Sequence, residues 1–485
     1  MKAWGLILLL SSLCGCNLAP RTERPTMPIP KHYKEVGDWV KMKPTLALAE
    51  KGQPWWTVLG DSALNQLEES LTAGNPSLAV VYARFEEARA LAQEARSFLY
   101  PTVLALAGQT RQFNSKEVSN VYSETTFLFN TATLQAFLSY EVDVWGQIRN
   151  TVSAATHGAR ASQYDLASMD LSLHAALAAD YIELRGVMRI QHELDALVQA
   201  YAHALRLVKN LHRGGAVSAL DEDQARNQWG NAKTAATNIR LKRAKLEHAI
   251  AVLVGAIPAN FQLPKLHSRV HYLGLRPDIP SRLLQQRPDI AAMAERVEAA
   301  NATIGVARAA FFPVFNLTGI LGVQNKRMGS LFSNPSLIWA LGPPGGLMSL
   351  ATPEISQIAF DGYYLQANLK HAKAAYYEAV NGYRQTVLTA FQEVEDSLVA
   401  MHRLGQERNS QAAATRAAWA ALYQVNQRMQ DGMDTYLGVI AVENEARQAR
   451  ISLINIEVAY QLATVHLIKA LGGGWSIDQA LKQSI

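Results

Sequence analysis

Apolar positions in this chain follow two different periods, and the order of those periods is written twice. From Ser62 to Phe98 they recur every three or four residues, the spacing of one helix face, with a break at Gly74-Asn75-Pro76. Asn75 suits a helix cap, and Pro76 suits a first helical turn, where a missing N–H leaves no bond unmade. The helix that follows carries Leu78, Val81, Phe85, Ala88 and Ala92 on one stripe. Pro101 ends it, and the period falls to two. Thr102 to Thr110 puts Val103, Ala105 and Ala107 on one face and Leu104 and Leu106 on the other. Thr131 to Val142 alternates more cleanly: Leu134, Ala136, Leu138, Tyr140 and Val142 oppose Thr133, Gln135, Ser139 and Glu141, with Phe137 breaking the polar side. Such a pattern suits strands between lipid and water, and equally a water-exposed hairpin on a soluble core. The polar stretch Gln112 to Thr126 is expected as the connecting loop.

Helical spacing returns after Trp145-Gly146. Ile148 to Leu211 contains no proline, and Leu177, Leu184, Val187, Leu194, Val198, Tyr201, Leu205 and Val208 step by sevens, threes and fours, the spacing of a coiled coil. A continuous helix of that length reaches roughly 95 Å at ~1.5 Å per residue. Gly214-Gly215 predicts a turn, and a second helix is expected from about Leu220 to Val254, stopped by Gly255-Ala256-Ile257-Pro258. The order then repeats: helix over Pro280 to Phe312, alternation over Pro313 to Val323, and loop over Asn325 to Pro335. An extended stretch to Phe360-Asp361-Gly362, a proline-free helix over Ala367 to Gln430, a turn at Gly432 and a last helix ending at Leu471 complete the second copy.

Landmarks fix the relation between the copies. Pro76 and Pro288, Arg96 and Arg308, and Pro101 and Pro313 are each 212 positions apart. Gly146 with Gly362, Gly215 with Gly432, and Gly255 with Gly472 keep almost that offset. Solenoid repeats run to only ~20–50 residues, so this is a duplicated half-molecule. Each half reads helix, strand, strand, long helix, turn, helix. Two strands per half cannot close a barrel around a pore, because the smallest single-chain bacterial barrels have about 8 strands. Strands must be pooled: a trimer supplies about 12, and a dimer about 8.

The ends set the expected compartment. Met1-Lys2 is a short basic head, and Gly5 to Leu13 is an apolar run of signal-peptide length. Leu13-Cys14-Gly15-Cys16 is similar to a bacterial lipobox, which implies a signal peptide over 1–15 and lipid on Cys16; an ordinary secretory signal with an incidental cysteine is the alternative. Asn17, rather than Asp, at the following position is compatible with sorting to the outer membrane. Residues 16–53, with Pro20, Pro25, Pro28, Pro30 and Pro44, read as an extended tether. The first repeat is then 54–265, the second 266–474, and the tail 475–485. Cys14 and Cys16 are the only cysteines, so a mature chain has none for a disulfide or a thiolate metal site. Past the signal no apolar run of roughly 18 residues is expected, so membrane passage requires a β-barrel. A formal charge of +5 over 485 residues, with no basic run, excludes nucleic acid as an evident partner.

The chain resembles the trimeric outer-membrane efflux proteins of the TolC, OprM and NodT group, especially its lipoprotein branch. The best-matched stretch is Leu283-Leu284-Gln285-Gln286-Arg287-Pro288-Asp289-Ile290, continuing from Ala299 through Phe312-Pro313. Leu18-Ala19-Pro20 and Ala470-Leu471-Gly472-Gly473-Gly474-Trp475 fit the same branch. The resemblance implies an α+β membrane protein: a homotrimer whose 12-stranded outer-membrane β-barrel continues into a periplasmic α-helical coiled-coil barrel. It also implies a passive exit duct that docks with a periplasmic adaptor protein and an inner-membrane pump. A periplasmic coiled-coil adaptor or scaffold lipoprotein without a pore is the alternative, and the duplicated strand pairs argue against it.

No HExxH, P-loop or GxSxG motif is present, and the twelve histidines are scattered, so neither an enzyme nor a cofactor is expected. In TolC, acidic residues just after the second-half turn line the tunnel constriction; here Gly438 and Ala441 stand at those positions. After the first-half turn at Gly215, however, Asp221, Glu222 and Asp223 follow, which three-fold symmetry would make a cation-attracting ring. The alternative is a solvated helix start, where acids favour the dipole. A further departure is Gly362-Tyr363-Tyr364, where the family often has paired glycines.

Overall fold

The computed structural model describes residues 17–21, 27–35, 54–113, 128–264, 285–333, 337–341 and 354–475. Cys16, the signal segment, most of the tether and the tail beyond Trp475 lie outside the described residues, as does the start of the helix expected from Pro280.

A 3-10 turn over Trp55–Leu59 leads into α1 (Ser62–Gly74) and α2 (Pro76–Ser97). Then come β1 (Thr102–Phe113), β2 (Leu128–Val142), α3 (Gln147–Arg213) and α4 (Ala219–Leu253). The second half supplies α5 (Pro288–Ala309), β3 (Val314–Asn325), β4 (Leu337–Leu341), β5 (Glu354–Ser356), α6 (Tyr364–Gln430) and α7 (Tyr436–Ala470). The stripe on α2 packs as its spacing requires, with Val81 and Ala92 buried and Leu78, Phe85 and Ala88 half-buried. Gln112 and Phe113, expected in the loop, belong to β1, where they pair with Phe129 and Leu128. The backbone ladder carries on past the point where side-chain alternation stops.

The five strands form one antiparallel sheet in the order β1-β2-β3-β4, with β5 also on β3. Its central pairing, β2 on β3, joins the two halves: Ala132 faces Asn325, and Val142 faces Phe315. The fourth strand is divided. Gly319 to Val323 pair with β4, and Val314 to Asn316 pair with β5, along the same side of β3. Residues 342–353, between the two pieces, lie outside the described residues and include Pro343 and Pro344, which have no N–H for a ladder. At the end of the sheet the Trp145 indole donates to the Pro313 carbonyl (2.9 Å) and stacks on Phe312, with ring centroids 4.7 Å apart.

The chain divides into two compact units, and each draws on both halves. One (1–26, 84–162, 292–383) holds the sheet and the helix segments that feed it; the other (27–83, 163–291, 384–485) is helical. In the helical unit the expected coiled-coil stripe of α3 is the core: Leu177, Leu184, Val187, Leu194, Tyr201, Leu205 and Val208 are buried, and Val198 packs against them. Against it lie Ala232 and Ala236 of α4 and Ile440 and Ile454 of α7. Contrary to the expectation, α7 is long and apolar enough to cross a membrane by composition, with a window of mean hydropathy 1.4. Since 44% of that window is buried inside the fold, much of its apolar surface serves helix packing. Val439 and Ala446, for example, close on Leu422 of α6.

A buried arginine ties the helix ends of this unit together. Arg287 donates twice to Asp289 (3.0 and 2.6 Å), once to Glu393 (2.6 Å) and once to the Ala470 carbonyl (3.0 Å). Partnered this way the guanidinium stays charged: burial opposes its charge, but the facing carboxylates outweigh that and raise its pKa.

Candidate functional site

The two helical hairpins turn by the same geometry. After α3, Gly215 has φ +73°, its N–H bonds the His212 carbonyl, and the Ala216 N–H bonds Leu211 at 2.9 Å. After α6, Gly432 has φ +71°, its N–H bonds the Met429 carbonyl, and the Met433 N–H bonds Arg428 at 2.8 Å. Both are left-handed glycine stops that satisfy the last helix carbonyls. Capping follows at matching positions. The Ser218 hydroxyl caps α4 by accepting the Asp221 N–H, and the Thr435 hydroxyl caps α7 by accepting the Gly438 N–H (3.2 Å).

Asp221 and Glu222 lie on the first turn of α4 and Asp223 directly after them, each with a local partner. The Asp221 carboxylate accepts from the Ser218 N–H (2.9 Å) and hydroxyl (2.7 Å), completing a capping box. Those bonds hold its pKa below the usual aspartate value. Glu222 and Asp223 both reach Arg226, at 2.6 and 3.1 Å. The second hairpin has Asp434 at its turn, 3.5 Å from Arg428. Arg226 offsets part of the first cluster's charge.

Sequence patterning did not find the links between the two hairpins near these turns. The Tyr436 hydroxyl lies 3.1 Å from His203 Nδ1, joining the start of α7 to α3. Below it Arg447 of α7 donates to Glu193 of α3 (2.9 Å) and to Glu443 (2.7 Å). Each residue taken alone reads as ordinary polar helix surface; only the packing of one half on the other pairs them.

The tether's first described residues lie along α5. Asn301 Nδ2 donates to the Pro20 carbonyl (2.9 Å), and Arg308 donates to the Leu18 carbonyl (3.2 Å). Gly305 makes room: a Cβ there would lie 2.9 Å from the Ala19 methyl and 2.6 Å from Asn150 Nδ2. Among the described residues no group of three or more His, Cys, Asp or Glu could hold a metal ion.

One sheet joining strands of both halves, together with two pairs of long helices, supplies the parts of a duct-forming membrane protein. The model of the outer membrane efflux protein family matches residues 67–256 and 279–473, and the chain belongs to that family. It is 30% identical to the toluene efflux pump outer membrane protein TtgF of Pseudomonas putida, covering 98% of each chain. To the outer membrane protein OprJ of Pseudomonas aeruginosa it is 28% identical, over 98% of this chain and 96% of the relative. Among solved structures the outer-membrane channel OprN aligns with a TM-score of 0.82 at 26% identity, covering 95% of this chain and 100% of that one. The open state of the Neisseria gonorrhoeae MtrE outer membrane channel aligns with a TM-score of 0.79 at 25% identity, covering 95% and 99%.

Proposed function

We propose that three copies of this chain close their sheets into one barrel of about 12 strands in the outer membrane. Their helices would form the periplasmic part of a passive efflux duct that docks with an adaptor protein and an inner-membrane pump. The observation that carries this reading is the β2–β3 pairing, which merges both repeats into one open sheet of four strand positions. An open sheet cannot stand in lipid, because its edge groups would go unpaired. β1 is exposed along its whole length, as a strand awaiting lipid on one face and a lumen on the other would be. The helices α3 and α6, of 67 residues each, are long enough for the periplasmic part, at about 100 Å apiece. Heat-resistant trimers in outer-membrane fractions and conductance in planar bilayers are the expected results. A monomeric, non-conducting periplasmic product would overturn the reading.

Lipidation of Cys16 belongs to the same proposal. Leu18 lies by Arg308 and Pro20 by Asn301, so the tether runs toward the C-terminal end of α5, which leads into β3. A lipid on Cys16 would therefore enter the membrane beside the barrel. Mass spectrometry of the mature N-terminus tests it, and an unmodified Cys16 would end it.

Asp221, Glu222 and Asp223 would ring the periplasmic opening and favour cations there. Substituting all three by Ala should reduce cation selectivity, and unchanged selectivity would leave them as helix-start acids only. For cargo, relatives named for toluene and antibiotic efflux support small organic molecules. Deleting the gene should sensitise its host to such compounds.

A further inference from the structure

Glu68 of α1 and His174 of α3 form a buried pair in the helical unit. Their side chains are 0% and 2% exposed, and Glu68 Oε2 lies 2.6 Å from His174 Nδ1. The other ring nitrogen, Nε2, faces two oxygens: the Thr72 hydroxyl at 3.3 Å and Asp170 Oδ1 at 3.4 Å. The Thr72 hydroxyl already donates to the Glu68 carbonyl (3.1 Å), so toward Nε2 it accepts. Nε2 therefore carries a hydrogen. A singly protonated imidazole then presents a bare lone pair from Nδ1 to a carboxylate, which cannot bond at 2.6 Å. A second proton must lie between Nδ1 and Oε2. Glu68 Oε1 has no hydrogen-bond partner, so the shared proton is what offsets the burial of this carboxyl.

We propose that this shared proton fastens the Trp55–Gly74 segment to α3, making a clasp that releases as pH rises. Trp56 lies flat over His174, with ring centroids 4.2 Å apart and planes at 15°, a stack that favours the protonated imidazole.

The groups facing the pair are few. Glu68 feels His174 and Asp170; His174 feels Glu68 and Asp170. Two helical turns along the same interface, the Tyr181 hydroxyl and Arg185 both donate to Asp61. Burial pushes the Tyr181 hydroxyl up to about 12, so it keeps its proton throughout the range of interest. Burial raises Glu68 to about 7. Burial alone would lower His174, but its bonds to Asp170 and Glu68 prevail and raise it to about 9. Both values lie above the unpaired ones, so the docked segment binds more protons than the released one. Docking is complete below the unpaired glutamate value of 4.5 and is lost as pH rises through about 7 and then about 9.

Hydrogen exchange of the full-length protein in detergent, followed by mass spectrometry from pH 6 to 10 and corrected for intrinsic rates, reads the clasp. α1 peptides should open about tenfold more per pH unit between roughly 6.5 and 9, the slope of one linked proton, then level off. Peptides of α5 should not change. In Glu68→Gln the side-chain amide can donate to Nδ1 without a titrating proton. The slope in α1 should then fall at least twofold, with α1 still protected at pH 9. A pH-independent α1 in the wild type, equal opening of α1 and α5, or an unchanged slope in Glu68→Gln would each overturn the proposal. Should Glu68→Gln fail to fold, the wild-type contrast between α1 and α5 still decides.

Discussion

The Trp145 indole donates to the Pro313 carbonyl at 2.9 Å, so a residue just after a strand of the first repeat is bonded to the residue just before a strand of the second. Its ring also stacks on Phe312. Trp145→Phe keeps most of the stack and loses the bond, and should destabilise by about 1 kcal/mol. Trp145→Ala loses both and should cost about 3 kcal/mol. Thermal unfolding in detergent compares the two.

Tyr363 holds φ +70°, the one non-glycine residue in the left-handed region among the described residues. An L side chain there costs roughly 1–2 kcal/mol. Tyr363→Gly removes that strain but loosens the unfolded chain, so a net gain of up to about 1 kcal/mol is expected. A lower melting temperature would show that Tyr363 makes a compensating contact.

At the hairpin turns, Gly215 and Gly432 share a left-handed backbone, and a Cβ at either would meet open space. Only conformation is at stake. Gly215→Val and Gly432→Val should each strain their turn by about 1–2 kcal/mol and speed proteolysis there to a similar degree. Acceleration at one turn alone would separate the two tips.

Arg287 is the buried partner of two carboxylates and a helix-end carbonyl. Arg287→Ala leaves Asp289 and Glu393 facing each other without it, and about 3 kcal/mol of stability should be lost. Urea unfolding of the two proteins measures the difference.

Gly305 admits Ala19 against α5. Gly305→Leu should displace the tether and push the Asn150 amide of α3 aside, with the sheet still folded. Trypsin cleavage after Arg21 should then quicken severalfold, while the melting temperature falls by only a few degrees. Equal cleavage rates would mean that the tether is held elsewhere.

Periodicity made most elements legible because it records which side of a segment is covered. The stripe from Leu177 to Val208 marked the buried face of α3, and the alternation from Thr131 to Val142 marked β2. The matching glycines foretold both turns. Strand limits were less legible: β1 runs on through Gln112 and Phe113, since a backbone ladder needs no alternating side chains. The apolar character of α7 is less legible, because polar residues such as Asn455, Glu457 and Gln461 interrupt its apolar stretch.

By itself, then, the sequence determined a duplicated chain of long helices and short strand pairs, and four strand positions too few to enclose a pore. Tertiary structure alone decided that β2 pairs with β3 across the repeat and that the fourth strand is split. It alone brought Glu68 to His174 and Tyr436 to His203. The reason is physical: apolar spacing is imposed by the need to leave water, which any apolar neighbour satisfies. A hydrogen bond or a shared proton needs one particular partner, at a distance that only the folded chain sets.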